Sequence, residues 1–83
     1  MSKTTLQLNI ISAERSLFSG NVSSVVFPGV SGSFGVYPEH APLISPLKEG
    51  DIVYTIDNKE HRQPVSRGVV EVVNGEITAC VEC

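Results

Sequence analysis

Leu6, Leu8 and Ile10 alternate with Thr5, Gln7 and Asn9, a period of two that predicts a strand buried on one face. Phe18 to Gly20 and Val22 to Phe27 are rich in β-branched and aromatic residues and predict two more strands, broken near Gly20. Pro28-Gly29 is a turn dipeptide, followed by a short strand from Ser33 to Tyr37. Asp51 to Ile56 is another strand, and Asp57-Asn58-Lys59 turns the chain back toward Arg62 to Ser66.

The plainest signal is at the end. Val69 to Val73 and Glu76 to Val81 flank Asn74-Gly75, a pair that tolerates positive φ at both positions and so suits a type I′ turn. A two-residue loop pairs Val72 with Ile77 and Val70 with Ala79. Val70, Val72, Ile77, Ala79 and Val81 then form a wholly apolar face. The opposite face mixes Glu71, Glu76 and Thr78 with Val69, Val73 and Cys80, as expected where one side of a sheet is solvated.

Helical periodicity is nearly absent. Ser12 is placed to cap a single turn over Ser12–Ser16, and no more. Residues 28–50 hold eight of the twelve Gly and Pro residues, so that segment must be turns joined by short strands. The whole pattern predicts eight to ten short strands. A single sheet of that size would expose its apolar face, whereas two stacked sheets, a β-sandwich or flattened barrel, bury it.

The chain has 83 residues, enough for one domain over 1–83. At 41% hydrophobic and 18% charged it is too apolar for disorder. Its longest uncharged run is interrupted by Ser, Asn, Pro and Gly, so it cannot cross a bilayer as a helix. The first five residues hold no apolar segment of signal-peptide length. Net charge is −3, and the six cations (Lys3, Arg15, Lys48, Lys59, Arg62 and Arg67) are scattered. No basic face results, which argues against nucleic acid and against an anionic membrane as partners.

Catalytic motifs do not assemble. Cys80-Val-Glu-Cys83 has C-x-x-C spacing, but three-apart strand positions face opposite ways. Only His40 and His61, in distant loops, could complete a zinc set. Gly29-Val-Ser-Gly32-Ser-Phe-Gly35 lacks the Lys-Ser/Thr ending and the following helix of a phosphate loop. No G-x-S-x-G elbow is present. His61 lies in a charged hairpin end. His40 lies in a loop stiffened by Pro38 and Pro42, and reads equally as a solvated side chain or as part of a protein contact surface. The expectation is no catalytic residue, no metal and no cofactor.

One stretch is more specific. Ser12-Ala-Glu14, Leu17-Phe-Ser-Gly20-x-Val22, Pro28-Gly29, and Gly32-x-x-Gly35-Val36-x-Pro38-x-His40-Ala41-Pro42-Leu43 occur in order, then Leu47-x-x-Gly50. With Val65-Ser-Arg-Gly-Val-Val-Glu-Val72 and Ile77-Thr78, this resembles the epsilon-subunit family of the F-type ATP synthases, called delta in mitochondria. The resemblance runs from about Leu6 to Glu82.

That resemblance implies an all-β fold, a flattened ten-stranded β-sandwich followed by a helical hairpin. It implies a non-catalytic rotor part docking on the gamma subunit and the ring of c subunits, coupling proton flow to ATP synthesis. By position, Ser12, His40 and Pro42 would face gamma, and Ser31, Gly32, Ser33 and Phe34 would touch the c ring. Ser33 stands where relatives often carry an acid, so charge pairing there is not implied. Arg67 replaces one Gly of a Gly-Gly pair, which implies a different local backbone. The implied location is the cytoplasmic face of the bacterial inner membrane, or its organelle equivalent, as a peripheral subunit without direct insertion. Weak self-association of the docking face is also an expectation. The helical hairpin would begin just after Glu82 and the sequence stops at Cys83, so inhibition of ATP hydrolysis is not expected of it. The alternatives are an independent ligand-binding sandwich, such as a carbohydrate module, and a small enzyme or enzyme fragment; the first would need an aromatic platform, and the chain has no Trp.

Overall fold

The computed structural model describes residues 5–83; residues 1–4, Lys3 included, lie outside the described part of the predicted domain. Nine strands run in chain order: β1 Leu6–Ile11, β2 Ser16–Val22, β3 Ser24–Gly29, β4 Gly32–Val36, β5 Leu43–Leu47, β6 Gly50–Ile56, β7 Lys59–Val65, β8 Arg67–Val73 and β9 Glu76–Glu82. No helix occurs among the described residues. The count lies within the eight to ten read from the pattern and is one below the ten that the resemblance implied.

The strands form one continuous hydrogen-bonded ribbon, β2-β1-β9-β8-β5-β3-β6-β7, with β4 beside β3. A single ladder pair, Gly29↔Leu47, links β3 to β5, flanked by hydrogen bonds from Val30 N–H to Pro46 O and from Lys48 N–H to Pro28 O, and the ribbon folds there into two layers. One layer is β2-β1-β9-β8-β5 and the other is β4-β3-β6-β7. The far ends curl together, where Phe18 of β2 meets Tyr54 of β6 at 4.4 Å between ring centroids. The result is a curled sandwich of 36 × 23 × 20 Å.

The core is the inward set of the period-two pattern. Leu6, Leu8 and Ile10 are buried, as are Val70, Val72, Ile77, Ala79 and Val81, together with Val25, Phe27, Val36 and Ile52. Each fully buried aliphatic or aromatic side chain contributes about 1.5–3 kcal/mol of transfer free energy. The β8–β9 register is the predicted one, Val72↔Ile77 and Val70↔Ala79, around Asn74 at φ 51° and Gly75 at φ 78°. Asp57 and Asn58 repeat this geometry in the β6–β7 hairpin, with φ of 50° and 65°.

Several local readings need correction. The predicted break at Gly20 is absent: Gly20 pairs with Leu8 inside β2. The chain bends instead at Ser23, whose N–H and hydroxyl both donate to Thr55 O, at 2.9 and 3.1 Å. There it leaves β1 for the second layer. Pro28-Gly29 is not the turn. β3 continues through both residues, and the reversal falls at Val30-Ser31. Gly29 is required by close approach, since a Cβ there would sit 2.6 Å from Gly32 O and 2.9 Å from the Phe34 ring. Leu43–Leu47 is a full strand despite Pro46, and its partner across the ladder is Val69. The turn at Ser12 is not helical. Arg67 has no positive φ and pairs regularly with Glu82 in the β8–β9 ladder.

Tyr37 to His40 form a tight turn in which His40 N–H donates to Tyr37 O at 3.1 Å. Pro38 and a positive φ of 68° at Glu39 give the pattern of a type II turn, whose third position favours glycine. Glu39→Gly is expected to stabilise the domain by about 0.5–1 kcal/mol by removing the left-handed strain. A rise of a few degrees in the thermal midpoint would show it; a fall would mean the Glu39 side chain has a stabilising role that outweighs the strain.

Candidate functional site

The outer face of the first layer can be read row by row from the ladders. One row is Ile11–Cys80–Val69–Pro46, the next is Asn9–Thr78–Glu71–Ile44, and the third is Gln7–Glu76–Val73. The two halves of this face differ chemically. On β1 and β2 the side chains satisfy one another: Ser19 donates to Asn9 Oδ1 at 2.9 Å, Gln7 donates to the same oxygen at 3.2 Å, and Asn9 donates to Ile77 O at 3.3 Å. On β5 and β8, Ile44 is 72% exposed, Val69 48% and Val73 44%. Val69 and Val73 flank Glu71 along β8 and Ile44 faces it across the ladder, so the three exposed apolar side chains are grouped on one half of the face rather than scattered over it.

Ser12 and the His40–Pro42 loop stand at opposite corners of this face. Ser12 follows Ile11 at the end of β1, beside a shallow groove of about 650 Å³ lined by Ile11, Ala13, Leu47, Val69, Cys80 and Val81. Its hydroxyl is used within its own turn, donating to Arg15 O at 3.2 Å and accepting from Arg15 N–H at 3.3 Å. His40 lies before β5, at least three strand spacings from Ser12, about 14 Å across the strands. Its Nδ1 lies 2.6 Å from Ala41 O. A carbonyl only accepts, so Nδ1 is the donor in this contact. Pro42 is exposed next to it.

Ser31, Gly32, Ser33 and Phe34 lie elsewhere, on the tip and first residues of the β3–β4 hairpin. Ser31, Gly32 and Ser33 are exposed. Phe34 is half-buried, packed on Phe27 with centroids 5.7 Å apart. The predicted residues therefore form two separate surfaces and no cluster.

No polar or charged side chain is buried among the described residues, and none of their His, Cys, Asp and Glu side chains form a group of three able to hold a metal. Among the described residues, the hydrogen bond of the His40 ring is to the Ala41 carbonyl. Cys80 and Cys83 are both exposed and unbridged.

Ile44, Val69, Val73 and Glu71 were not singled out from sequence. The available signal was the run of valines at outward positions of β8, which a simple alternation assigns to a solvated face.

Residues 5–82 match the family described as the beta-sandwich domain of the ATP synthase delta/epsilon chain. The chain is 43% identical over 77 residues to the ATP synthase epsilon chain of Maricaulis maris, covering 93% of this chain and 58% of that one. It is 44% identical over 79 residues to that of Nitratiruptor, covering 94% and 61%. The chain thus spans about six-tenths of these relatives. In structure it resembles a chain of the Euglena gracilis mitochondrial ATP synthase OSCP/F1/c-ring assembly, with TM-score 0.90, 15% identity, and coverage of 98% and 52%. A chain of the Tetrahymena thermophila central stalk/c-ring assembly gives TM-score 0.79 at 12% identity, covering 100% and 67%. At those identities the likeness is one of fold. The family match over 5–82, with the relatives above 40% identity, shows that this chain belongs to the delta/epsilon chain family of the ATP synthases, as its β-sandwich domain.

Proposed function

We propose that the chain is a non-catalytic central-stalk subunit of an ATP synthase. It docks through the outer face of β9, β8 and β5 on the gamma subunit and through the β3–β4 hairpin tip on the c ring. Its contribution to coupling is mechanical: a stiff two-layer sandwich fills the space between the two partners and turns with them. Ser12, His40 and Pro42 border the gamma surface, and Ser31, Gly32 and Ser33 meet polar loops of the ring, with Phe34 holding the hairpin from below. The subunit is part of a membrane-associated complex and lies peripherally, at the cytoplasmic face in a bacterium.

The observation that carries this reading is the exposed apolar set Ile44, Val69 and Val73 between the Ser12 and His40 corners. A carbohydrate-type platform has little to build on, since Tyr37 is the one aromatic among the large exposed hydrophobic side chains described. Ile44→Asp is expected to weaken binding to the cognate gamma subunit by about 100-fold, because it buries an uncompensated charge in the contact. Ile44 is on the surface, so the folded domain should be unaffected by circular dichroism and thermal melting. Undiminished gamma binding by a folded Ile44→Asp chain would remove this face from the interface.

A further inference from the structure

One carboxylate, Glu71, occupies the middle of the apolar half-face, and a second, Glu76, stands at its edge on β9 across from Val73. Glu71 stands across the ladder from Ile44 on one side and Thr78 on the other. Val69 and Val73 lie two residues away along β8, on the same face. Among the described residues, Glu71 has no hydrogen bond and no ion pair, whereas the cations Arg62 and Arg67 are engaged: Arg62 by Asp51 and Glu60, Arg67 by Glu82 at 3.1 Å. Arg67 is four residues from Glu71 along the strand, about 13 Å away, and cannot neutralise it.

In the free domain this arrangement carries no penalty, because water solvates the carboxylate. Docking changes that. A partner that covers Ile44, Val69 and Val73 also strips water from the group between them. A carboxylate desolvated without a cation is unfavourable, and one met by a well-placed cation fixes register and excludes wrong partners. We propose that Glu71 is the specificity-determining charge of this face. Its partner is a protein surface that is apolar at its margins and presents one lysine or arginine opposite Glu71, arginine being the better match for a bidentate contact. This rests on the docking face described above and names the chemistry that the face selects.

The same residue bears on self-association. A two-fold axis through the patch would bring two Glu71 carboxylates toward each other, so a second copy of the chain is the poorer occupant.

Calorimetric titration of the full chain with the cognate gamma subunit, at low and high salt, tests this. Glu71→Gln keeps size and shape, and is expected to weaken binding about 30-fold at low salt and to flatten the salt dependence seen with the unaltered chain. Glu71→Lys is expected to abolish binding while leaving the domain folded. If Glu71→Gln binds within about 3-fold and keeps the same salt slope while Ile44→Asp still loses binding, the charge assignment is wrong and the docking face stands. If neither variant loses binding, the face itself is wrong. Sedimentation of the unaltered chain as a dimer that Glu71→Gln does not tighten would overturn the proposal in favour of a second copy.

Discussion

Replacing Phe27 by alanine is expected to remove about 3–5 kcal/mol from the stability of the domain. Phe27 is the largest of the fully buried side chains. It sits on β3, the strand that pairs with β4, β5 and β6 and therefore joins the two layers. Its ring packs against Phe34, tilted by 31°. Truncation would leave a cavity between backbones held by ladders, which cannot close over it, so the cost should fall in the upper part of the range for large-to-small changes. A domain of this length has roughly 4–12 kcal/mol in total. Phe27→Ala should therefore unfold at a much lower urea concentration with the slope of the transition unchanged. Phe27→Leu, which refills most of the volume, should cost much less. A loss below about 1 kcal/mol for Phe27→Ala would mean that the layers repack freely, contrary to a rigid core.

The second large effect comes from a residue with no side chain. Gly68→Ala is expected to cost about 2–4 kcal/mol, the range for overpacking and forced backbone shifts. A Cβ at Gly68 would lie 2.5 Å from Cys80 O, 2.8 Å from Val81 Cγ1 and 3.0 Å from Val81 Cα. β9 cannot withdraw, because it is laddered to β8 on one side and to β1 on the other. Relief would have to break one of those ladders. The neighbouring Arg67 is the control: its ion pair with Glu82 is solvent-exposed on both sides, so Arg67→Ala should cost under about 1 kcal/mol. Equal losses at the two positions in denaturant melts would contradict the close-approach account of Gly68.

How much of this could be read beforehand differs from segment to segment. The β8–β9 hairpin was legible to the register, because turn chemistry at Asn74-Gly75 and a wholly apolar inward set act together within a few residues. β1 was legible as a strand, since three apolar residues alternate without interruption. β5 was not, because Pro42 and Pro46 suppress the local strand signal and only the neighbouring β8 stabilises that segment as a strand. The turn was misplaced to Pro28-Gly29 because the usual meaning of that dipeptide is local. Its role here, a glycine under the Phe34 ring, depends on a residue five positions on. Among the site residues, His40 and Pro42 could be noticed for their stiff loop. Ile44 could not, because nothing local distinguishes an outward isoleucine from an inward one in a strand that had not been recognised.

The amino-acid sequence alone determined the all-β character, the near absence of helix, the faces of the strongly alternating strands and the lack of a basic surface. These follow from period, turn residues and composition, which act over a few neighbouring positions. Tertiary structure decided which strand lies beside which. β1 is inserted next to β9 in parallel although about seventy residues separate them, and a short junction built on one ladder pair, Gly29↔Leu47, joins the two layers. An apolar period states that a face must be buried but not by what, because hydrophobic burial has no direction. Once the inward faces had closed on one another, the outward residues of β8 and β5 were left side by side. Only that closure put Ile44, Val69 and Val73 around Glu71, on the face proposed to dock, from positions that look ordinary in the chain.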